Sequence, residues 1–222
     1  MQDAHGPRTL RDAARRFFRH ASPRFLCAVV FSCLAARIAL GDWSVWDGAV
    51  VAGILVYWPV QEWLIHLLIL HARPFSILGR TIDPAVPRKH RAHHRDPWNL
   101  EILFIPVQGF ATAIALSLLL WIGLMPRLGL AFTGLSFSFA LALRYEWIHF
   151  LIHSPYRPRS RHYERLWRNH RLHHTRNEHY WYGVTMLGGD RLFRTAPRPG
   201  EVEASATCMA LERAGDGRAA GL

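Results

Sequence analysis

Ten of the fourteen histidines in this chain fall into four tight groups. His66 and His71 lie in the stretch EWLIHLLILH, and His90, His93 and His94 follow in KHRAHH. The order then repeats, with His149 and His153 in EWIHFLIH and His170, His173 and His174 in NHRLHH. Neutral imidazole binds iron, zinc, copper or nickel through one ring nitrogen. Ten such ligands are too many for one ion. They suit two ions with about five each, or four each with spares. The three cysteines, Cys27, Cys33 and Cys208, form no CxxC pair, so neither a thiolate zinc site nor a redox dithiol is indicated. An all-nitrogen ligand set on two redox-capable ions at a lipid boundary suits O₂ activation. A lone helical histidine is more often a packed side chain than a ligand, but two pairs and two triplets in one repeated order do not arise that way.

Spacing says which side chains a helix brings together. His149 and His153 are four apart and share a face. In each HxxHH triplet the first histidine shares a face with the second or the third. His66 and His71 are five apart, which is no same-face spacing in an ideal α-helix. A kink at Pro59 or an unwound last turn is therefore expected. Glu62 and Glu146 each precede a histidine in a Glu-Trp-x-x-His or closely similar pattern. Each could accept a hydrogen bond from a ligand's other ring nitrogen and fix its tautomer. The alternative is an ion pair with Arg73 or Arg144. Asn169, Asn177 and His179 are candidates for similar supporting roles. His5, His20 and His162 fall outside every group and are expected to face solvent.

The elements that must position these groups are apolar and long. Four segments, about 24–41, 48–71, 102–124 and 128–153, approach or exceed the roughly 20 residues that cross a membrane core. Arg37 interrupts the first and is expected to snorkel to the head groups. Residues 9–20 put Leu10, Ala13, Ala14, Phe17 and Phe18 on one helical face, as an interfacial helix would. The net charge is +11, and 26 of the 27 basic residues are Arg, with Lys89 the exception. The basic residues sit before residue 25, in 73–96 and in 157–198, whereas 42–47 and 125–130 carry Asp42, Asp47 and Arg127. That bias puts both termini and all ten histidines on the cytoplasmic side of four crossings. Basic blocks that abut apolar spans point to lipid head groups and not to nucleic acid. The first span lacks a small-residue cleavage site and is expected to be retained. The predicted organisation is a basic segment at 1–24, a membrane domain at 25–195 and a mobile tail at 196–222.

The four groups resemble the fatty acid hydroxylase and sterol desaturase superfamily, whose pattern is HxxxxH, HxxHH, HxxxH and HxxHH. The stretch 179–195 resembles that family's ending, with Gly183-Val184-Thr185 in place. The chain departs from it at Gly189-Asp190, where a Trp-Asp pair is usual, and at Phe193-Arg194-Thr195, where Phe-Gly-Thr is usual. Those departures are expected to affect the floor of a substrate channel and not the metals. The resemblance covers about residues 48–195. It implies an all-α membrane fold of four helices capped by a cytoplasmic, histidine-rich metal-binding portion. It further implies two iron ions, replaceable by zinc in a purified sample, with O₂ as co-substrate and two electrons per turnover. The reaction implied is oxygen insertion into a C–H bond of a membrane lipid, foremost a fatty acyl chain.

No haem domain is fused to the histidine groups, so the donor is expected to be a separate protein, a ferredoxin or a cytochrome b5-like carrier. The Arg-rich, Lys-poor composition suggests a bacterial genome and hence an inner membrane. A desaturase or a sterol or carotenoid hydroxylase of the same superfamily would carry the same ligands. A metal transporter is the rival from another class. It should place ionisable groups at mid-membrane, and the uncharged stretches within 102–124 and 128–143 offer none.

Overall fold

The computed structural model describes residues 7–213. The protein is an all-α membrane protein with four helices long and apolar enough to cross a bilayer: Ala21–Leu40, Val45–Leu70, Val107–Leu124 and Leu128–His153. In chain order the helices are α1 (Leu10–Phe17), α2 (Ala21–Leu40), α3 (Val45–Leu64), α4 (Ala85–Arg95), α5 (Val107–Leu124), α6 (Leu128–His153), α7 (Arg161–Thr175), α8 (Gly188–Phe193) and α9 (Ala206–Arg213). A small antiparallel hairpin, β1 (Phe75–Ile77) with β2 (Arg80–Ile82), links the second span to α4.

Helix α6 is the axis of the bundle and packs against α2, α3 and α5. Its 26 residues make about 39 Å of helix, longer than a hydrocarbon core of about 30 Å. The surplus carries Glu146 to His153 toward one end of the bundle, where α4 and α7 lie. Prolines set the borders: Pro106 starts α5 and Pro126 separates α5 from α6. The third span therefore begins at Val107 instead of residue 102, because 101–106 runs as turns and extended chain.

Three expectations about the first quarter change. Arg37 does not snorkel. It is 1% exposed, pairs with Asp42 at 3.0 Å and Asp47 at 2.9 Å, and donates to Thr133. Its guanidinium also stacks 3.7 Å over Trp43. This charged clasp joins α2, α3 and α6 at the end away from the histidines. Removing Asp47 alone would leave a buried cation short of a partner, at a cost of about 3–5 kcal/mol. Helix α1 is more than an interfacial strip, since Ala13 and Phe17 are buried with Phe104 and Phe150. His20 is not solvent-facing, because its ring lies 4.1 Å from that of Phe104. His5 lies outside the described residues.

Residues 196–213 are not a mobile tail. The backbone N–H of Ser205 donates to the Arg176 carbonyl, and the Arg176 side chain donates to the Val202 carbonyl. Helix α9 then packs on α7 and α4, with the Cys208 thiol 3.2 Å from the His174 carbonyl. Apolar residues spaced through a Pro- and Glu-rich stretch suffice to fold it back. Residues 214–222 lie outside the described ones.

Candidate metal centre

The ten histidines meet at one end of the bundle in two groups of five. One is His66, His71, His90, His94 and His173, and the other is His93, His149, His153, His170 and His174. Within each group every residue offers a ring nitrogen within 4.8 Å of the others. Each group takes one spanning-helix pair plus the first and third histidines of the triplet that follows it. The middle histidine of each triplet crosses over, His93 to the second group and His173 to the first. Helix geometry explains this. At about 100° per residue, positions i and i+4 lie about 40° apart, while i+3 falls about 60° to the other side of i.

The five-residue spacing of His66 and His71 is accommodated by a π-helical turn over Ile65–Leu70. The His71 N–H donates to the His66 carbonyl at 3.2 Å, five residues back. Widening the turn brings both rings to one side, 5.2 Å apart. Of the two devices expected from the sequence, a kink at Pro59 or an unwound turn, the chain uses a local rewinding at the histidines themselves.

Facing Nε2 atoms sit at the separation a common ion requires. The distances are 3.2 Å for His71 to His173, 3.3 Å for His71 to His90 and 3.1 Å for His90 to His94. In the second group they are 3.1 Å for His153 to His170 and 3.1 Å for His170 to His174. Two nitrogens at right angles, each about 2.1 Å from an ion, lie about 3.0 Å apart. The Nε2 atoms of His66 and His149 and both ring nitrogens of His93 are buried with no hydrogen-bond partner in the protein. Buried polar atoms are normally satisfied, so this donor set fits metal ions.

Burial holds the rings neutral, as ligands must be. His90, His93, His94, His170, His173 and His174 are all pushed well below the ordinary histidine value, first by desolvation and then by neighbouring imidazoles. His71, half-buried, is lowered by burial to about 4, against an opposing pull from Glu178.

The supports differ from those the sequence suggested. Neither Glu62 nor Glu146 takes a hydrogen bond from an imidazole, and neither forms an ion pair, among the described residues. Glu62 accepts from the N–H groups of Val184 at 2.5 Å and Thr185 at 2.7 Å, from the Thr185 hydroxyl, and from the Trp58 indole. Glu146 accepts from the Ser22 hydroxyl at 2.6 Å and from the Ile105 N–H. The ring nitrogens are oriented by backbone instead. His66 Nδ1 donates to the Tyr182 carbonyl at 2.6 Å, and His173 Nδ1 donates to the Tyr180 carbonyl at 2.7 Å. Both acceptors lie in the loop after α7, and that loop is clamped from two sides. Glu62 holds residues 184–185. Asp190, fully buried, accepts from Tyr182 N–H, Gly183 N–H, Asn169 Nδ2 and the Thr195 hydroxyl.

Asn169 thus supports the loop and not a ring. Asn177 ties the loop to the folded-back tail through the Glu203 carbonyl. His179 is exposed, and only its backbone enters this network. Gly189 lies against α3, and Asp190 lies in the loop clamp. A Cβ on Gly189 would lie 2.5 Å from the Pro59 carbonyl oxygen, so glycine lets α8 press against α3. Sequence reading missed Tyr180 and Tyr182 because a backbone carbonyl leaves no residue-type signal. Asp190 had one, as the acid in the stretch flagged by resemblance.

Comparison with known proteins agrees with this architecture. The chain is 26% identical over 152 residues to the dihydroceramide fatty acyl 2-hydroxylase FAH2 of Arabidopsis thaliana, covering 68% of this chain and 61% of that protein. The chain thus spans about three-fifths of that relative's length. The hydroxylase domain seen in full-length scs7p superposes with a TM-score of 0.64 at 20% identity, over 83% of this chain and 68% of that one. The fatty acid hydroxylase family matches residues 51–195, a stretch that begins within α3 and ends past the Asp190 clamp, and to that family the chain belongs.

Proposed function

We propose that the protein is an O₂-dependent di-iron hydroxylase that inserts one oxygen atom into a C–H bond of a membrane lipid, with a fatty acyl chain as substrate. The observation that carries this is the pair of five-histidine groups with facing Nε2 atoms 3.1–3.3 Å apart. The first group would hold one iron through His66, His71, His90, His94 and His173, and the second would hold the other through the remaining five. When bound, the two irons supply O₂ activation, with two electrons from a separate ferredoxin or cytochrome b5-like donor.

The chain's own residues supply the rest. The Tyr180 and Tyr182 carbonyls fix which nitrogen of His173 and His66 faces inward. Burial of nine of the ten rings keeps bulk water from the centre. A cleft of about 20 Å³ reaches His90 and His149, one from each group, and is lined by Leu70, Val86, Ile102 and Ile105. Its volume suits one water. The relative's name supports hydroxylation over desaturation and makes carbon 2 of an acyl chain the first position to examine. The basic residues around the histidine end support a cytoplasmic site, and the Arg-rich composition supports a bacterial inner membrane.

Mass spectrometry of total lipids with and without the gene tests the reading. A gain of one oxygen on an acyl chain is expected. Loss of two hydrogens would replace hydroxylation with desaturation. No change in any lipid, from protein loaded with two irons and supplied with reductant, would refute the proposal.

A further inference from the structure

Electrons for such a reaction must reach ions beneath buried imidazoles, and one packed route leads there from a charged surface. The Arg171 guanidinium on α7 is held between two indoles, 4.3 Å from the Trp98 ring centroid and 4.5 Å from that of Trp167. Trp98 is buried and lies 5.7 Å from the ring of His153, a member of the second group. Trp167 is partly exposed. Farther round the same helix, Arg161, Arg165 and Arg168 share one face at spacings of four and three and are all exposed, with Glu164 as the exposed acid between that face and Trp167. Exposed Arg95 adds a further positive charge three residues before Trp98.

An aromatic series also leads outward from the first group. The Tyr182 ring is 5.5 Å from that of His66 and 5.9 Å from that of Trp63, and Trp63 stacks on Phe193 at 4.1 Å. It emerges at Leu192 and Phe193, which are 64% and 42% exposed. That apolar patch beside a spanning helix is suited to lipid and not to a soluble carrier.

Resting on the di-iron reading above, we propose that a one-electron carrier protein with an acidic face docks on α7 beside Trp167, and that electrons enter at the second group through Trp167, Arg171 and Trp98. Opposite charge steers such a partner and fixes its orientation. The cation–π contacts hold the indoles in a path without gaps. Two reduced carriers are each oxidised by one electron. With two protons and one O₂, those electrons convert R–H to R–OH and water. The indoles are conduits and are neither oxidised nor reduced in the balance.

The test uses the full chain in nanodiscs and an acidic [2Fe–2S] ferredoxin as probe. Binding to the metal-free protein at low salt should weaken at least tenfold in the triple variant Arg161→Glu, Arg165→Glu, Arg168→Glu. Arg127→Glu, at the opposite end, should leave it unchanged. Oxidation of reduced ferredoxin by the iron-loaded protein under argon should slow at least tenfold in Trp98→Leu and recover in Trp98→Phe. Dithionite should reduce wild type and Trp98→Leu to the same end point with equal iron content. Failure of wild type itself to hold iron would count against the di-iron reading, while the binding arm would still judge the docking surface. Unchanged binding in the triple variant overturns the surface. A full rate in Trp98→Leu, or slowing in Trp63→Leu instead, overturns the route.

Discussion

The two histidine groups are built from the same sequence elements in the same order, yet they are held differently. In the second, His149 and His153 stand four apart on an unbroken α-helix, and all five rings are buried. In the first, the pair is five apart, the helix rewinds into a π turn, and His71 remains partly exposed. Two of the first group's rings are steered by carbonyls of the 180–185 loop, whereas the Nδ1 atoms of His153, His170 and His174 have no protein partner. One group is fixed by helix geometry and close packing. The other depends on a loop, and that loop depends on Glu62 and Asp190. If both ions act on one O₂, as proposed, the centre is only as well ordered as its loop-dependent half.

Losing a ligand should have the largest effect and should expose the crossover. His173→Ala should deplete metal from the first group and His93→Ala from the second, although each lies in the triplet whose other members serve the opposite group. Both should lower hydroxylated product by more than about 100-fold, beyond the usual loss from changing an outer-shell support. Elemental analysis alongside product measurement checks this. Full turnover in either variant would contradict the grouping.

Cutting the supports should separate the two halves. Asp190→Asn removes a charged acceptor from Tyr182 N–H and Gly183 N–H, and Glu62→Gln does the same at residues 184–185. Each should cost about 10–100-fold in activity or metal affinity, with one of two metal equivalents lost and the other retained. Equal loss of both metals would mean that the loop serves the whole centre.

Acid should sharpen the same contrast. The folded protein holds these imidazoles below their ordinary value, so the unfolded chain binds more protons as pH drops under about 6.5. The stability of metal-free protein should thus be complete above that pH and fall as the pH is lowered toward 4. His71, the one partly exposed ligand, is lowered only to about 4 and should protonate before the other ligands outside the spans. Metal should accordingly leave the first group before the second in a stepwise acid titration, read by metal release and thermal midpoint.

Much of this was legible in the sequence. The residue types and their repeated order gathered ten histidines at one end of four spans. The anomaly at His66 and His71 announced a non-ideal turn because spacing alone breaks the α-helical period. Which five histidines meet was not legible, since an HxxHH triplet allows either sharing pattern until α4 and α7 are docked. The fate of Arg37 was hidden for a similar reason: Asp42 and Asp47 are near in sequence, but Thr133 comes from α6. The tail misled because its composition is that of disordered chain, whereas the fold offers α7 partners in Val202 and in Cys208 of α9.

The smallest expected effect concerns Arg194, in the loop-dependent half. It ends α8 at φ 56° and ψ 38°, a left-handed conformation that glycine adopts without cost and a branched-out side chain does not. The superfamily pattern carries glycine at this place. Thr195, the next residue, donates to Asp190 through its hydroxyl and its backbone N–H meets the Asp190 carbonyl, so the left-handed turn at 194 aims the segment that completes the clamp. Arg194→Gly should therefore keep the turn and stabilise the protein by up to about 1 kcal/mol by relieving the left-handed penalty, offset in part by the greater freedom of glycine in the unfolded chain. Thermal unfolding in detergent should show a small rise, with metal content and product unchanged. A fall in stability with loss of one metal equivalent would mean that the Arg194 side chain itself holds the loop. The contrast between a helix-held and a loop-held group would then extend to a residue that the backbone alone does not explain.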